Sequence, residues 1–71
     1  MDDAQFKRLA QQVRERRKSL RLTQDELADL AGCSGRFVRS LEGGKAVRTD
    51  KLLDVLNVLG LELVLEPRRP A

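Results

Sequence analysis

Histidine, tryptophan and tyrosine are absent from this 71-residue chain, and Cys33 is its only cysteine. A single cysteine cannot form a disulfide within the chain, and without histidine no zinc site of the usual His/Cys kind can be assembled. Histidine is also the side chain that most often acts as a general base near neutral pH. No Ser/Lys pair, paired-carboxylate cluster or glycine-rich phosphate loop stands out in its place. The sequence therefore predicts a protein that is not an enzyme and that needs no metal and no cofactor.

Long hydrophobic runs are missing too. No apolar stretch approaches the length of about 18 residues that indicates a membrane-spanning helix. The N-terminal stretch MDDAQFKR contains two acids and no apolar run, so it does not have the pattern of a secretion signal. A lone cysteine is typical of a reducing compartment. We therefore expect a cytoplasmic protein without a membrane partner.

Leucine and arginine are the abundant residues. Thirteen leucines and no isoleucine favour helix over strand. Ten of the 14 cations are arginine, whose planar guanidinium forms paired hydrogen bonds with phosphate and guanine. The net charge is +3, and the positive charge is concentrated in residues 2–22 and 36–51. A chain of this size has a thin core, so the composition indicates one small basic helical domain to which a second copy could add burial.

Apolar spacing and capping residues predict two helices in the first half of the chain. In the first helix, apolar residues three and four positions apart form one face that runs to about Leu20. Asp2 or Asp3 can cap its N-terminus. Thr23 and Glu26 have the spacing of a capping box, in which each side chain binds the backbone N–H of the other residue. A second, short helix is therefore predicted over residues 23–31.

The second half of the chain predicts two more helices and a strand. Ser34 is placed to cap a third helix over residues 34–42, and Thr49 to cap a fourth that ends at Gly60. Leucines then alternate with other residues, which is the spacing of a strand. The predicted organisation is a helix-turn-helix DNA-binding domain (1–60), a dimerisation strand (61–66) and a flexible tail (67–71).

The turn Gly32-Cys33 between the two short helices carries the functional prediction. Two short helices joined by a tight turn that contains glycine are typical of the helix-turn-helix. In that motif the second helix enters the major groove of DNA, and its N-terminal residues meet the base edges. Here those residues are Ser34, Gly35 and Arg36. The basic loop that follows the helix strengthens the prediction of a DNA contact.

The stretch from Leu22 to Gly44, LTQDELADLAGCSGRFVRSLEGG, resembles the Xre/Cro-repressor family of helix-turn-helix proteins. This chain departs from the family pattern at Cys33, where valine is usual, and at Arg39, where a smaller polar residue is common. The resemblance implies an all-α, lambda-repressor-like bundle of four to five helices that binds double-stranded DNA. The positions that match the pattern are Thr23, Gln24, Leu27, Ala28, Gly32, Ser34, Val38, Leu41, Glu42, Gly44 and Lys45.

A second resemblance covers nearly the whole chain. The segment LGLELVLEPR after the fourth helix, together with GRFV in the third, is similar to the HipB-like antitoxins. This resemblance implies a homodimer joined by a C-terminal β-strand from each copy, an inverted-repeat operator and a HipA-like kinase toxin as partner. The predicted function is then that of an autoregulating repressor and antitoxin. A stand-alone Xre-type regulator and a helical protein-interaction module are the alternatives.

Nine residues are candidate DNA contacts. Arg36 is expected to read a guanine by a bidentate contact with O6 and N7. The family resemblance assigns the amide of Gln24 to a phosphate, and one of Arg39 and Ser40 is expected to read a base while the other contacts a phosphate. Arg14 and Arg16 lie on a basic face that is more often only solvated. The complete set is Thr23, Gln24, Ser34, Gly35, Arg36, Arg39, Ser40, Lys45 and Arg48.

Two further groups have predicted structural roles. The resemblance implies an ion pair between Arg17 on the first helix and Glu42 at the end of the third. The apolar side chains of the predicted strand are expected to form the dimer interface, because a lone strand leaves its backbone groups unpaired. The alternative is that this segment packs on the helices as an extended tail. The interface residues are Leu61, Leu63, Val64 and Leu65.

Overall fold

The structure is a computed structural model, and it describes residues 4–68. Within this range the chain forms four α-helices: α1 (Ala4–Ser19), α2 (Gln24–Ala31), α3 (Gly35–Glu42) and α4 (Thr49–Leu59). The all-helical class and the number of helices agree with the prediction. The predicted caps Asp2 and Asp3 lie outside the described residues. None of the helices within residues 4–68 is long and apolar enough to span a membrane.

The side chains predicted to cap the N-termini of α2 and α3 do so in the structure. The Thr23 hydroxyl accepts from the Glu26 N–H at 3.0 Å, and the Glu26 carboxylate accepts from the Thr23 N–H at 2.8 Å. Gly32 ends α2 with a left-handed φ of 71°, a conformation that glycine adopts without steric cost. The Ser34 hydroxyl then accepts from the Phe37 N–H at 3.1 Å. The predicted capping box and the serine cap are therefore confirmed.

The start of α4 differs from the prediction. Thr49 is the first helical residue rather than the cap, and Arg48 occupies the N-cap position without a side-chain capping bond. The carboxylate of Asp50 serves the first turn instead, since it accepts from the Lys51 N–H at 2.9 Å and from Arg48 Nη2 at 2.8 Å. The hydrogen bond from the Lys51 N–H is the main reason that the pKa of Asp50 lies below its usual value. The prediction that Thr49 caps this helix is wrong.

The core sits where α2, α3 and α4 meet α1. The inward residues of α3 are Val38 and Leu41, and both are fully buried against residues of the other three helices. Packing of α3 against both α1 and α2 fixes the direction in which its opposite face points. The remaining buried residues of the core are Val13, Leu27, Ala28, Leu52, Val55, Leu56 and Leu59.

After α4 the chain runs along the helical domain without regular structure. Residues 61–68 belong to neither a helix nor a strand in the described part of the chain. Leu61 packs against the core, whereas Leu63, Val64 and Leu65 are exposed, Leu65 by 89%. A strand is defined by hydrogen bonds to a partner strand, and residues 4–68 of a single copy supply none. The predicted alternation of apolar side chains is present in the sequence, but a strand over 61–66 is not formed here.

Candidate nucleic-acid interface

Helix α3 has one apolar face and one basic face. Its burial of Val38 and Leu41 turns Arg36 and Arg39 to the outside, because residues two positions away on a helix point to a different side. Both arginines are exposed. The outward face of α3 is therefore a cationic surface held in place from beneath by the core.

A groove runs between α3 and the start of α4, and it brings together four of the predicted DNA contacts: Ser34, Arg36, Ser40 and Arg48. Its apolar lining includes Phe37 and Val47, both half-buried. Lys51, the third residue of α4, adds a cation to the lining of this groove. Lys51 was not among the contacts predicted from the sequence, because it lies inside a helix and not in the basic loop.

A second groove lies on the other side of α3, against α1 and the start of α2. It is lined by Arg14, Gln24, Arg39 and the buried pair Arg17 and Glu42, together with Gly43. Two predicted DNA contacts, Gln24 and Arg39, therefore face this side of α3. Arg14 also lines a smaller depression between α1 and the Gly43-Gly44 turn. Arg14, which the sequence left as a solvated charge, thus adds a cation next to α3.

The buried ion pair between Arg17 and Glu42 joins α1 to the end of α3. Arg17 Nε donates to Glu42 Oε2 at 2.6 Å and Nη2 donates to Oε1 at 2.9 Å, which is a bidentate arrangement. Arg17 Nη1 donates to the Leu22 carbonyl at 2.8 Å. The hydrogen bonds to Glu42 raise the pKa of Arg17 above its usual value. The guanidinium therefore connects α1, the turn before α2 and the end of α3.

Gln24 lies next to this pair rather than at an isolated position on the surface. Its amide nitrogen donates to Glu42 Oε1 at 3.2 Å, and its side chain is half-buried. The first residue of α2 is thereby tied to the last residue of α3. The family resemblance assigns this amide to a phosphate, and the bond to Glu42 was not predicted because it depends on how the two helices pack.

The other predicted DNA contacts, all within residues 4–68, do not line either of these two grooves. Thr23 is exposed, with its hydroxyl engaged in the capping box. Lys45 is exposed after the Gly43-Gly44 turn, and its N–H donates to the Ser40 carbonyl at 3.1 Å. Gly35 is the first residue of α3 and is half-buried.

Cys33 lies in the turn between α2 and α3 and packs against the core as a half-buried apolar residue. Desolvation is the main cause that raises the pKa of its thiol. A raised pKa lowers the fraction of reactive thiolate at neutral pH. The surroundings of Cys33 are those of a packing residue.

Arg16 has a role that the sequence did not reveal. Its Nε donates to the Leu59 carbonyl at 2.8 Å, across 43 positions of the chain. A cation at the C-terminus of a helix satisfies a carbonyl that has no partner within the helix and interacts favourably with the helix dipole. Arg16 therefore holds the C-terminus of α4 against α1, close to the start of residues 61–68.

Comparison with known proteins agrees with this geometry. Residues 8–68 match the family described as "Helix-turn-helix domain". A protein of Sinorhizobium fredii (strain NBRC 101917 / NGR234), named as the uncharacterized HTH-type transcriptional regulator y4mF, is 46% identical over 57 residues. The match covers 78% of this chain and 75% of that protein. A DNA-binding regulator is the function class that these similarities support, and the chain belongs to the helix-turn-helix domain family.

Proposed function

We propose that this protein is a sequence-specific DNA-binding repressor of transcription. One observation carries the proposal: the outward face of α3 presents Arg36 and Arg39 while its inward face is locked in the core. The exposed cations Lys45 and Arg48 follow in the loop and extend the positive surface. Arginine on the face of a recognition helix can read guanine, and cations beside it can bind the phosphates that position the helix.

A binding measurement against the DNA upstream of the gene tests this proposal. We expect the affinity to fall steeply as salt concentration rises, because phosphate contacts release bound counterions. Arg36→Ala is expected to relax the base preference at one position of each half-site. Arg68→Ala is the matched control, because Arg68 is an exposed arginine that lies outside α3, the basic loop and residues 61–66. A wild-type protein that does not bind DNA would favour the alternative of a helical protein-interaction module.

The repressor acts as a homodimer in this proposal, and residues 61–66 provide the contact. Support comes from Leu63, Val64 and Leu65, which leave an apolar segment exposed in a single copy. Pairing with the same segment of a second copy would satisfy the backbone groups of both and cover these side chains. A two-fold dimer would place two α3 helices about 34 Å apart, and its operator would be an inverted repeat.

Sedimentation of a chain that ends at Gly60 tests the dimer. Removal of residues 61–71 is expected to convert the dimer into a monomer while the helical content remains. The double variant Leu63→Ser and Leu65→Ser should weaken the dimer in the same direction with the backbone intact. A truncated chain that remains a tight dimer would contradict the assignment of this segment as the interface.

The antitoxin role is the most specific part of the proposal. It is supported by the resemblance of the C-terminal segment and the third helix to HipB-like antitoxins. In this role the protein would repress its own operon and hold a HipA-like kinase in an inactive complex. A kinase gene beside this one, and co-purification of the two products, would support it. Absence of such a gene would favour a stand-alone Xre-type regulator.

A further inference from the structure

The first residue of the recognition helix α3 is a glycine, and the side chain of an arginine from the next turn lies beside it. Gly35 opens α3 at the end that the DNA-binding proposal directs to the base edges. A Cβ added to Gly35 would collide with Asp25 Oδ1 and would lie 3.2 Å from Arg39 Nη1. The space that a side chain at position 35 would fill is therefore occupied by an aspartate from α2 and an arginine from the next turn of α3.

Asp25 and Arg39 form an ion pair across this space. Arg39 Nη1 lies 3.6 Å from Asp25 Oδ1, and their side chains are 58% and 81% exposed, respectively. This contact uses one terminal nitrogen of the guanidinium, and within residues 4–68 it leaves Nε and Nη2 to other acceptors. A guanine edge offers two acceptors, O6 and N7, to such a pair of donors.

We propose that Arg39 reads a guanine in place of the side chain that Gly35 lacks, and that Asp25 is the positioning residue that holds Arg39 there. The inference rests on the proposed DNA-binding function and deepens it by separating Arg39 from Ser40. Ser40 is half-buried and lines the groove on the α4 side of α3, next to Arg48. Arg39 lines the opposite groove and is the exposed member of the two.

The charge of Asp25 makes this assignment distinguishable from a nonspecific effect. A carboxylate on a DNA-facing surface repels phosphates, so removal of its charge should leave unchanged or strengthen the binding of random DNA. Loss of its hold on Arg39 should at the same time weaken the preference for guanine. If Asp25 had only a structural role, removal of its charge would not weaken the preference for guanine while the binding of random DNA stayed the same or increased.

Selection from a pool of randomised DNA duplexes provides the test, with the full-length protein and its variants compared at the same salt concentration. Arg39→Ala is expected to lower the preference for guanine at one operator position by about tenfold, since a bidentate contact discriminates by that order. Asp25→Asn is expected to lower the preference at the same position by about threefold, in keeping with the modest strength of an exposed ion pair. Binding of random DNA should not weaken in Asp25→Asn.

Two controls separate the contributions. Asp29→Asn removes the same charge from an exposed position of the same helix and should leave the base preference unchanged. Arg39→Lys keeps the charge without the planar pair of donors, so it should weaken the preference and keep the salt dependence. In the background of Arg39→Ala, the further change Asp25→Asn should have no effect on base preference.

The outcomes distinguish this inference from the function on which it rests. A wild-type protein that selects no sequence would overturn the proposed function and the inference together. A wild-type protein that selects a sequence, with Asp25→Asn indistinguishable from Asp29→Asn, would overturn only the positioning role of Asp25. Preference retained by Arg39→Ala would overturn the assignment of Arg39 as a reader of guanine.

Discussion

Within residues 4–68, two arginine–carboxylate pairs involve α3, and they lie in contrasting surroundings. The pair Arg17–Glu42 has its side chains 10% and 4% exposed and an Nε–Oε2 distance of 2.6 Å. The pair Arg39–Asp25 is 58% and 81% exposed, with its closest atoms 3.6 Å apart. Burial makes the first pair part of the fold, because each ion has little access to water. Exposure leaves Nε and Nη2 of Arg39 accessible to a ligand while Nη1 faces Asp25.

The largest expected effect comes from breaking the buried pair. Glu42→Ala would leave the Arg17 guanidinium buried without its carboxylate, and would also remove the acceptor of the Gln24 amide. We expect the free energy of unfolding to fall by about 3–5 kcal/mol, as measured by urea denaturation. Glu62→Ala, at an exposed position of the C-terminal segment, is the control and should change it by less than about 0.5 kcal/mol. Equal losses in the two variants would contradict the structural role of Glu42.

Replacing both members of the buried pair should lower the free energy of unfolding less than removing one of them. In the double variant Arg17→Met and Glu42→Leu no charge remains buried, and apolar side chains fill the space. The Leu22 carbonyl loses its donor, so we expect a remaining loss of about 1–2 kcal/mol in the same denaturation experiment. A double variant less stable than Glu42→Ala would show that the ion pair itself contributes net stability.

An acid titration tests the capping box at the start of α2. The hydrogen bond from the Thr23 N–H is the main cause that lowers the pKa of Glu26, so the carboxylate favours the folded state when it is ionised. This contribution is present above the ordinary carboxylate pKa and is lost as pH falls through the lowered value. Glu26→Gln can keep the hydrogen bond without titrating. Thermal melts between about pH 5 and pH 3 should therefore show a shallower loss of stability in Glu26→Gln than in the wild type.

The smallest expected effect comes from breaking the exposed pair. Asp25→Ala should change the free energy of unfolding by less than about 0.5 kcal/mol, because water and salt screen an exposed ion pair. The same denaturation experiment that measures Glu42→Ala provides the comparison. A loss of more than about 2 kcal/mol, comparable with that of a core change, would mean that the two pairs do not differ in the way that their exposure indicates.

The sequence predicts the local features of this fold well. Thr23, Ser34, Gly32 and Gly60 mark the ends of helices because each acts on backbone groups within a few residues of itself. The start of α4 was harder to predict, since Thr49 and Asp50 can both serve the first turn and only the path of the loop decides between them. Fold class and the position of α3 follow from such local signals.

Contacts between distant residues limit what could be predicted of the site. The bond from Arg16 to the Leu59 carbonyl joins positions far apart in the chain, and nothing in the spacing of either residue indicates it. The contacts of Gln24 with Glu42 and of Asp25 with Arg39 depend on the angle at which α2 meets α3. Periodicity tells which face of a helix is outside, but not which side chain of a neighbouring helix lies next to it.

The separation of the two faces of α3 has a consequence for how new binding preferences could be obtained. Val38 and Leu41 anchor α3 in the core, and Glu42 ties its C-terminal end to Arg17. Arg36 and Arg39 are exposed. Substitutions at the two exposed arginines are therefore compatible with an unchanged scaffold. Under the proposed DNA-binding function, exchange of these outer residues would retarget α3 to another operator, with residue 39 chosen together with residue 25.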